Sequence, residues 1–261
     1  VAKADDLLAT LRPAVSELCP TGKVGVLFSG GIDSTIVAAL AAETTQVQLY
    51  TVGVGEAHDL SVAEETAKRL GLPWTAIRIT GEQVVDSVVP VSEIINKDGI
   101  LPISFEMPAY FVCGEGTEQY YLSGQGADEL FGGYTRYVSL SPEDLRSTMT
   151  RDIEALLGSG ISMEHAIARH FRKVIGHPYL DPDVVRFAAK LTSSDCISGG
   201  ARKIVLGQVA SLLGLDFLAS RQKKAAQYGS GIMKVLKAEA KERGVPVSRL
   251  VASLKVLGQS V

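Results

Sequence analysis

Val24-Gly25-Val26-Leu27-Phe28-Ser29-Gly30-Gly31-Ile32-Asp33-Ser34-Thr35 decides the fold of this 261-residue chain. Lys23 to Phe28 reads as a short buried strand, Ser29-Gly30-Gly31 as a turn, and Asp33 to Ala42 as a helix of small residues. Working outward, Val47–Val54 reads as a second strand and Asp59–Leu70 as a helix ended by Gly71-Leu72-Pro73. Trp74–Ile79 is a third strand. Glu82–Ile95 reads as a helix with a kink or break at Pro90, and Met107–Glu115 as a weaker helix. Tyr120–Ser123 is a fourth strand that runs into another Gly-rich turn. Upstream, Leu7, Leu8, Leu11, Val15 and Leu18 share one stripe of a helix over Asp5–Leu18, broken by Pro20-Thr21-Gly22. Strands alternating with helices imply an α/β fold with a doubly wound parallel sheet. Such sheets bind ligands at the carboxyl ends of their strands, where both Gly-rich turns fall. Beyond Ser141 the strand signal fades. Glu143–Leu157, Ser162–Val174, Pro182–Leu191 and Ala201–Leu213 read as helices, giving a helical C-terminal region.

Composition narrows the class. Hydrophobic residues make up 46% and charged residues 21%, which excludes disorder and collagen-like structure. The apolar run Ile36–Ala42 is far below the roughly 20 residues a membrane span needs. Val1-Ala2-Lys3-Ala4-Asp5-Asp6 lacks the basic start and apolar core of a signal peptide, so a soluble, cytoplasmic protein is expected. Cys19, Cys113 and Cys196 form no C-x-x-C pair, and the four histidines make no H-E-x-x-H pattern, so zinc chemistry has no support. The net charge of −3 is uneven. Arg221 to Lys255 holds nine Lys/Arg and two Glu. A solvated basic face beside a phosphate site is the favoured reading, with a nucleic-acid or acidic-partner surface as the alternative.

The chemistry of the first turn points to phosphate. Backbone N–H groups at a helix N-terminus attract anions, and Gly lets the backbone come close. Ser29 and Ser34 add hydroxyls. Neither the G-x-x-x-x-G-K spacing nor G-x-G-x-x-G is present. Asp33 beside phosphate is costly unless Mg²⁺ lies between them. The plainer reading is a turn with a capping Ser and Asp.

Ser29-Gly30-Gly31-Ile32-Asp33-Ser34 after a strand resembles the pyrophosphate loop of the ATP pyrophosphatase superfamily. The second turn, Ser123-Gly124-Gln125-Gly126-Ala127-Asp128-Glu129-Leu130-Phe131-Gly132-Gly133-Tyr134, is similar to the S-G-x-G-[SA]-D-E-x-F-G-G-Y block of the asparagine synthetase family's synthetase domain. Val52-Gly53 with His58-Asp59-Leu60, His177-Pro178-Tyr179-Leu180-Asp181, and Arg221 to Gly231 resemble three further segments of that family. The resemblance runs from about Val24 to Gly231.

It implies an adenine nucleotide alpha hydrolase-like sheet, with a nucleotide-binding α/β domain over 1–140 and a helical region over 141–261 that completes the site. ATP and Mg²⁺ are the implied cofactors. Phe28, Ser29, Gly30, Gly31, Asp33 and Ser34 would grip the pyrophosphate. Val52 and Gly53 would flank adenine, and Ser123, Gly124 and Gln125 would lie against the nucleotide. Asp33 and Asp128 would ligate Mg²⁺. Asp128, Glu129 and Lys223 are the candidate catalytic residues, with Lys223 neutralising charge at the α-phosphate or acyl-adenylate. The implied reaction is ATP-dependent amide formation through an acyl-adenylate, releasing AMP and pyrophosphate. Aspartate to asparagine is the default. An ATP pyrophosphatase acting on a tRNA base or cofactor precursor, or a non-catalytic ATP-binding subunit, are the alternatives.

Three departures qualify the pattern. Val1 leads almost directly into the synthetase-like part, so ammonia, an amine or a separate glutaminase subunit is the expected nitrogen source. Gln125 stands where many asparagine synthetases have Glu, and Gln accepts no proton. Either another carboxylate, of which Glu129 is nearest, a phosphate oxygen or water takes the proton, or the second half-reaction differs. Ser104 falls where an Arg is expected, which weakens aspartate as acceptor. Glu106 reads as a surface residue, with a substrate carrying a positive amine as the alternative.

Overall fold

The computed structural model describes residues 2–218 and 229–258. Five parallel strands form one sheet in the order β3-β2-β1-β4-β5: β1 Lys23–Leu27, β2 Gln46–Val54, β3 Trp74–Ile79, β4 Tyr120–Leu122 and β5 Val174–Gly176. At the centre, Val26 pairs with Leu49 on one side and Leu122 on the other. Val24 and Val26 alternate with Gly25, and β2 places Val47 and Leu49 on one face and Tyr50 and Val52 on the other. Strands covered on both faces need apolar side chains on both, so these segments read as apolar runs.

Two helical layers supply the cover. On one face, α1 (Ala2–Ser16), α2 (Ile32–Ala42) and α3 (His58–Leu70) pack with α9 (Pro182–Ala188) and α11 (Ile204–Leu212). On the other, α4 (Gly81–Ile95), α5 (Ile100–Glu115) and α8 (Ile161–His170) pack with the helix Ile232–Glu242. The β1–β2 crossover therefore lies on one face and the β3–β4 crossover on the opposite face. The reversal falls between β1 and β4, and a crevice opens where crossovers diverge. Both Gly-rich turns stand there.

Local chemistry accounts for several boundaries. Thr80 and Gln83 form a capping box at the start of α4, satisfying donors the first turn leaves open. Gly71, at φ 67°, ends α3, a conformation that suits Gly. Pro90 stays inside α4. Helix α5 starts at Ile100, seven residues before the start expected from sequence, because Pro102 occupies its first turn. A missing N–H costs nothing there. Between α7 (Pro142–Ala155) and α8, Leu156–Gly160 forms a π-turn, so the two helices run together.

The stretch expected to be wholly helical also holds strand β5, which extends the sheet beyond β4. The helix expected over Ala201–Leu213 begins only at Ile204, after the one-turn α10 (Ser193–Cys196) and the small hairpin of β6 (Ile197–Ser198) and β7 (Ala201–Arg202). Lys203 joins the two at φ 56°. Among the described residues no helix is long and apolar enough to cross a membrane. The three cysteines are free.

Candidate active site

The turn after β1 is held by its own hydroxyls. Ser29 Oγ lies 3.2 Å from Ser34 Oγ and accepts from the Gly31 N–H at 3.3 Å. The Ser29 N–H donates to Ser34 Oγ at 3.2 Å. Thr35 Oγ donates to the Gly31 carbonyl at 2.7 Å. The first-turn N–H groups of α2 have no carbonyl partner within the helix. Gly30 has φ 70°, and a Cβ there would meet the Ala63 Cα at 2.8 Å. Glycine is thus required twice, for the turn and for its approach to α3. Below the turn, Thr51 Oγ donates to the Phe28 carbonyl at 2.6 Å and Trp74 Nε1 donates to Thr51 Oγ at 2.9 Å.

The turn after β4 closes on the first. A Cβ at Gly124 would meet the Ser34 nitrogen at 3.1 Å and the Asp33 Cβ at 3.2 Å. Asp128, on the short helix α6 (Ala127–Phe131), comes to Asp33 through a third residue. Lys203 Nζ lies 2.5 Å from Asp33 Oδ1 and 2.5 Å from Asp128 Oδ1. Gly133 makes room for this arrangement, since a Cβ there would meet Asp128 Oδ1 at 1.8 Å and Lys203 Cε at 2.3 Å. Asp33 and Lys203 are both buried. Tyr179 Oη donates to the Asp33 carbonyl at 3.1 Å. Burial, and then the charges of Asp33 and Asp128, push the Tyr179 phenol well above its ordinary value.

A cavity of about 360 Å³ opens over these two turns, within the size range of small-ligand sites. Phe28, Ser29, Asp33, Ser34, Val52, Ser123, Gly124, Gln125, Asp128 and Glu129, expected from sequence to build the site, all line it. Gly30 and Gly31 shape the first turn from behind. Gly53 is spaced from the cavity by packing: a Cβ there would meet Leu60 Cγ at 2.7 Å and Ala57 Cβ at 2.9 Å. Asp59 lines the cavity, and so does Ser230. The Ser230 carbonyl accepts from the Val54 N–H at 2.8 Å, which brings Gly229–Gly231 to the end of β2. Lys223 lies outside the described residues.

Glu129 is buried, and Tyr134 Oη donates to its Oε1 at 2.5 Å. Burial raises its carboxyl above the ordinary range. Ser104 is fully buried and donates to the Leu101 carbonyl at 2.8 Å, so it does not line the cavity. Glu106 is no surface residue: it is 2% exposed and lines the cavity.

Sequence reasoning missed Lys203 and Glu164. Lys203 was read as part of a helix, and a single Lys beside a helix start has no motif to mark it. Glu164 reaches the cavity from α8, and its Oε2 pairs with His177 Nε2. The His177-Pro178-Tyr179-Leu180-Asp181 segment was the available signal for that pairing. Of the basic C-terminal residues, Lys255 pairs with Asp98 at 2.7 Å and Arg243 with Glu239 at 2.5 Å. Charge on this segment is thus partly spent on local ion pairs.

Asp33 and Asp128 both turn Oδ1 to Lys203 Nζ, and carboxylate oxygen is the donor type that holds Mg²⁺ together with phosphate oxygens. These residues fit such an ion, with Lys203 sharing the same two carboxylates.

The sequence is similar to a putative glutamine-hydrolyzing asparagine synthetase of Methanocaldococcus jannaschii, with 31% identity over 92% of this chain and 51% of that protein. It is also similar to the glutamine-hydrolyzing asparagine synthetase B of Escherichia coli, with 26% identity over 89% of this chain and 46% of that protein. The chain thus spans about half the length of these curated relatives. Among solved structures it is similar to the NMN synthetase of Francisella tularensis, with 14% identity, a TM-score of 0.43, and 97% of this chain and 85% of that one covered. It is similar as well to the NH3-dependent NAD synthetase of Campylobacter jejuni, with 15% identity, a TM-score of 0.38, and 99% and 93% covered. The asparagine synthase family profile matches residues 6–174. With that match laid over both Gly-rich turns, the chain belongs to the asparagine synthase family.

Proposed function

We propose that this protein binds ATP with Mg²⁺ in the cavity between its two Gly-rich turns and forms an amide through an acyl-adenylate. The triphosphate lies over the Ser29–Ser34 turn, where backbone N–H groups and hydroxyls receive it. Adenine lies toward Val52. Asp33 and Asp128 hold Mg²⁺, which when bound supplies positive charge to the phosphates. A carboxylate oxygen of the acceptor attacks the α-phosphorus, forming a P–O bond as the bond to pyrophosphate breaks. A nitrogen nucleophile then attacks the acyl carbon, forming the C–N bond and expelling AMP.

The residues act chiefly by fixing geometry. Lys203 holds Asp33 and Asp128, and carries positive charge to the floor of the phosphate turn. Lys223 answers the charge that builds on the α-phosphate or acyl-adenylate. Glu129, held by Tyr134 and raised by burial, takes the proton that Gln125 cannot accept.

The observation that carries this reading is the meeting of the two turns: Gly124 packs on the start of α2 while Lys203 spans Asp33 and Asp128. Simple nucleotide binding needs only the first turn. Exchange of labelled pyrophosphate into ATP, run across a panel of amino acids and other carboxylates, tests it. Acceptor-dependent exchange together with AMP formation is expected. ADP as product, or no exchange with any carboxylate, overturns it. Aspartate is the first acceptor to try, on family grounds.

A further inference from the structure

A second set of acids enters the same cavity away from the Asp33–Lys203–Asp128 cluster. Glu106 comes from α5 and Glu164 from α8. Both oxygens of Glu164 are engaged: Oε1 accepts from Ser123 Oγ at 3.4 Å, and Oε2 pairs with His177 Nε2. The His177 ring stacks beside His165, with centroids 5.1 Å apart. Glu106 is different. It is 2% exposed, and its Oε2 is buried with no hydrogen-bond partner. Gln125 Oε1 is likewise buried and unpartnered. Buried polar atoms are ordinarily paired, so two bare acceptors in one cavity call for a donor.

Charge points the same way. Of the acids that line the cavity, Asp33 and Asp128 share Lys203 and Glu164 pairs with His177, whereas Glu106 Oε2 meets no partner among the described residues. An α-amino dicarboxylate would add further net negative charge there. A cation complements the wall. No group of three or more His, Cys, Asp or Glu suited to a metal exists among the described residues. A primary ammonium offers three N–H donors and no acceptor, the complement of the bare oxygens of Glu106 and Gln125. Phe105, Pro108 and Met163 give the same cavity an apolar side, which suits a hydrocarbon stem.

We propose that this cavity takes a primary alkylamine, with its ammonium group on Glu106 Oε2 and Gln125 Oε1 and its stem against Phe105, Pro108 and Met163. The assignment rests on the amide-forming reading above, in which this amine is the nitrogen nucleophile. It turns the site away from aspartate amidation and toward joining a carboxylate to an alkylamine.

Thermal-shift titration of the full chain at pH 8 with n-propylammonium chloride tests it. Sodium chloride and tetramethylammonium chloride at equal ionic strength serve as controls. A saturable rise in melting temperature with propylammonium is expected. Tetramethylammonium, which has no N–H, gives none. Glu106→Gln weakens the apparent affinity at least tenfold, whereas Glu154→Gln, on the exposed side of α7, responds as the parent does. Should Glu106→Gln not fold, Gln125→Leu removes the other bare acceptor and weakens binding too. No saturable response in the parent overturns the proposal, and so does undiminished binding in whichever of these two site variants folds. Equal or tighter binding of ammonium chloride would also sink it, since ammonium has no stem. Turnover is not needed here. A chain that binds propylammonium but adenylates no carboxylate overturns the amide reading alone, and one that adenylates without binding propylammonium overturns this subsite alone.

Discussion

Lys203 and Asp33 stand 170 positions apart in the chain, and their side chains meet at 2.5 Å in the interior. The contact ties the start of α11 to the start of α2, so the far helical region is fastened to the phosphate turn. A positive φ of 56° at Lys203 is uncommon for a residue other than Gly. It aims the ammonium back at the sheet edge.

Lys203→Met removes the ammonium that Asp33 and Asp128 share. Breaking a buried ion pair from one side costs about 3–5 kcal/mol, and urea unfolding at pH 7.5 should show a loss of that size. Millimolar MgCl2 should raise the melting temperature of this variant more than that of the parent. An equal rise in both would contradict a metal role for the two aspartates.

Two glycines with positive φ separate backbone strain from close packing. Gly55 has φ 56° with nothing within 4 Å of a built Cβ, whereas Gly30 has φ 70° with the Ala63 backbone at 2.8 Å. Gly55→Ala should cost about 1 kcal/mol from the left-handed backbone alone. Gly30→Ala adds overpacking of about 1–3 kcal/mol and should abolish ATP binding. Chemical denaturation with calorimetric ATP titration reads both, and similar losses for the two variants would refute the packing argument.

Glu106 gives stability a pH dependence of known sign. Burial first, and then the charge of Glu164, push its carboxyl well above the ordinary range. The folded chain therefore binds this proton more tightly than the unfolded chain does. Its contribution is fully present at low pH and is lost as pH rises from the unfolded value toward the folded one, at about 1.4 kcal/mol per pH unit. Glu106→Gln removes the ionisation, so its stability relative to the parent should improve between pH 4.5 and pH 7.5. A difference that stays flat across that range would rule the buried carboxyl out as the cause.

The three thiols should separate by burial. Cys113 and Cys196 are buried, and burial pushes their thiols up to about 12 and about 11. Thiolate is the reactive form. Iodoacetamide at pH 8 should therefore modify half-buried Cys19 first and reach the other two only in denaturant, as mass spectrometry would show. Early labelling of Cys113 would mean that α5 opens in the native state.

Much of the site was legible because its signals are local. Ser29-Gly30-Gly31 and Ser123-Gly124-Gln125-Gly126 each follow an apolar strand, and strand-to-turn junctions must lie at the carboxyl edge of a parallel sheet. Asp33, Asp128 and Glu129 were readable from their place in those turns. The strand β5 was not, because Val174-Ile175-Gly176 is too short to show a period. The first turns of α5 were missed because Pro102 looks like a breaker and acts as an N-terminal residue.

Taken alone, the sequence determined the alternation of strands and helices, the two Gly-rich turns, and the family they mark. Periodicity and turn chemistry depend on neighbours along the chain, so one strand of text carries them. Tertiary structure decided which turns meet, at the β1–β4 reversal. It also set Lys203 between Asp33 and Asp128 and buried Glu106 with an unpaired oxygen. Those outcomes depend on residues far apart in the chain, up to the 170 positions between Asp33 and Lys203, being packed into a medium where charge must find a partner. No local pattern encodes such a partner. Two remote acids and the buried Lys203 became a site only when the sheet closed around them.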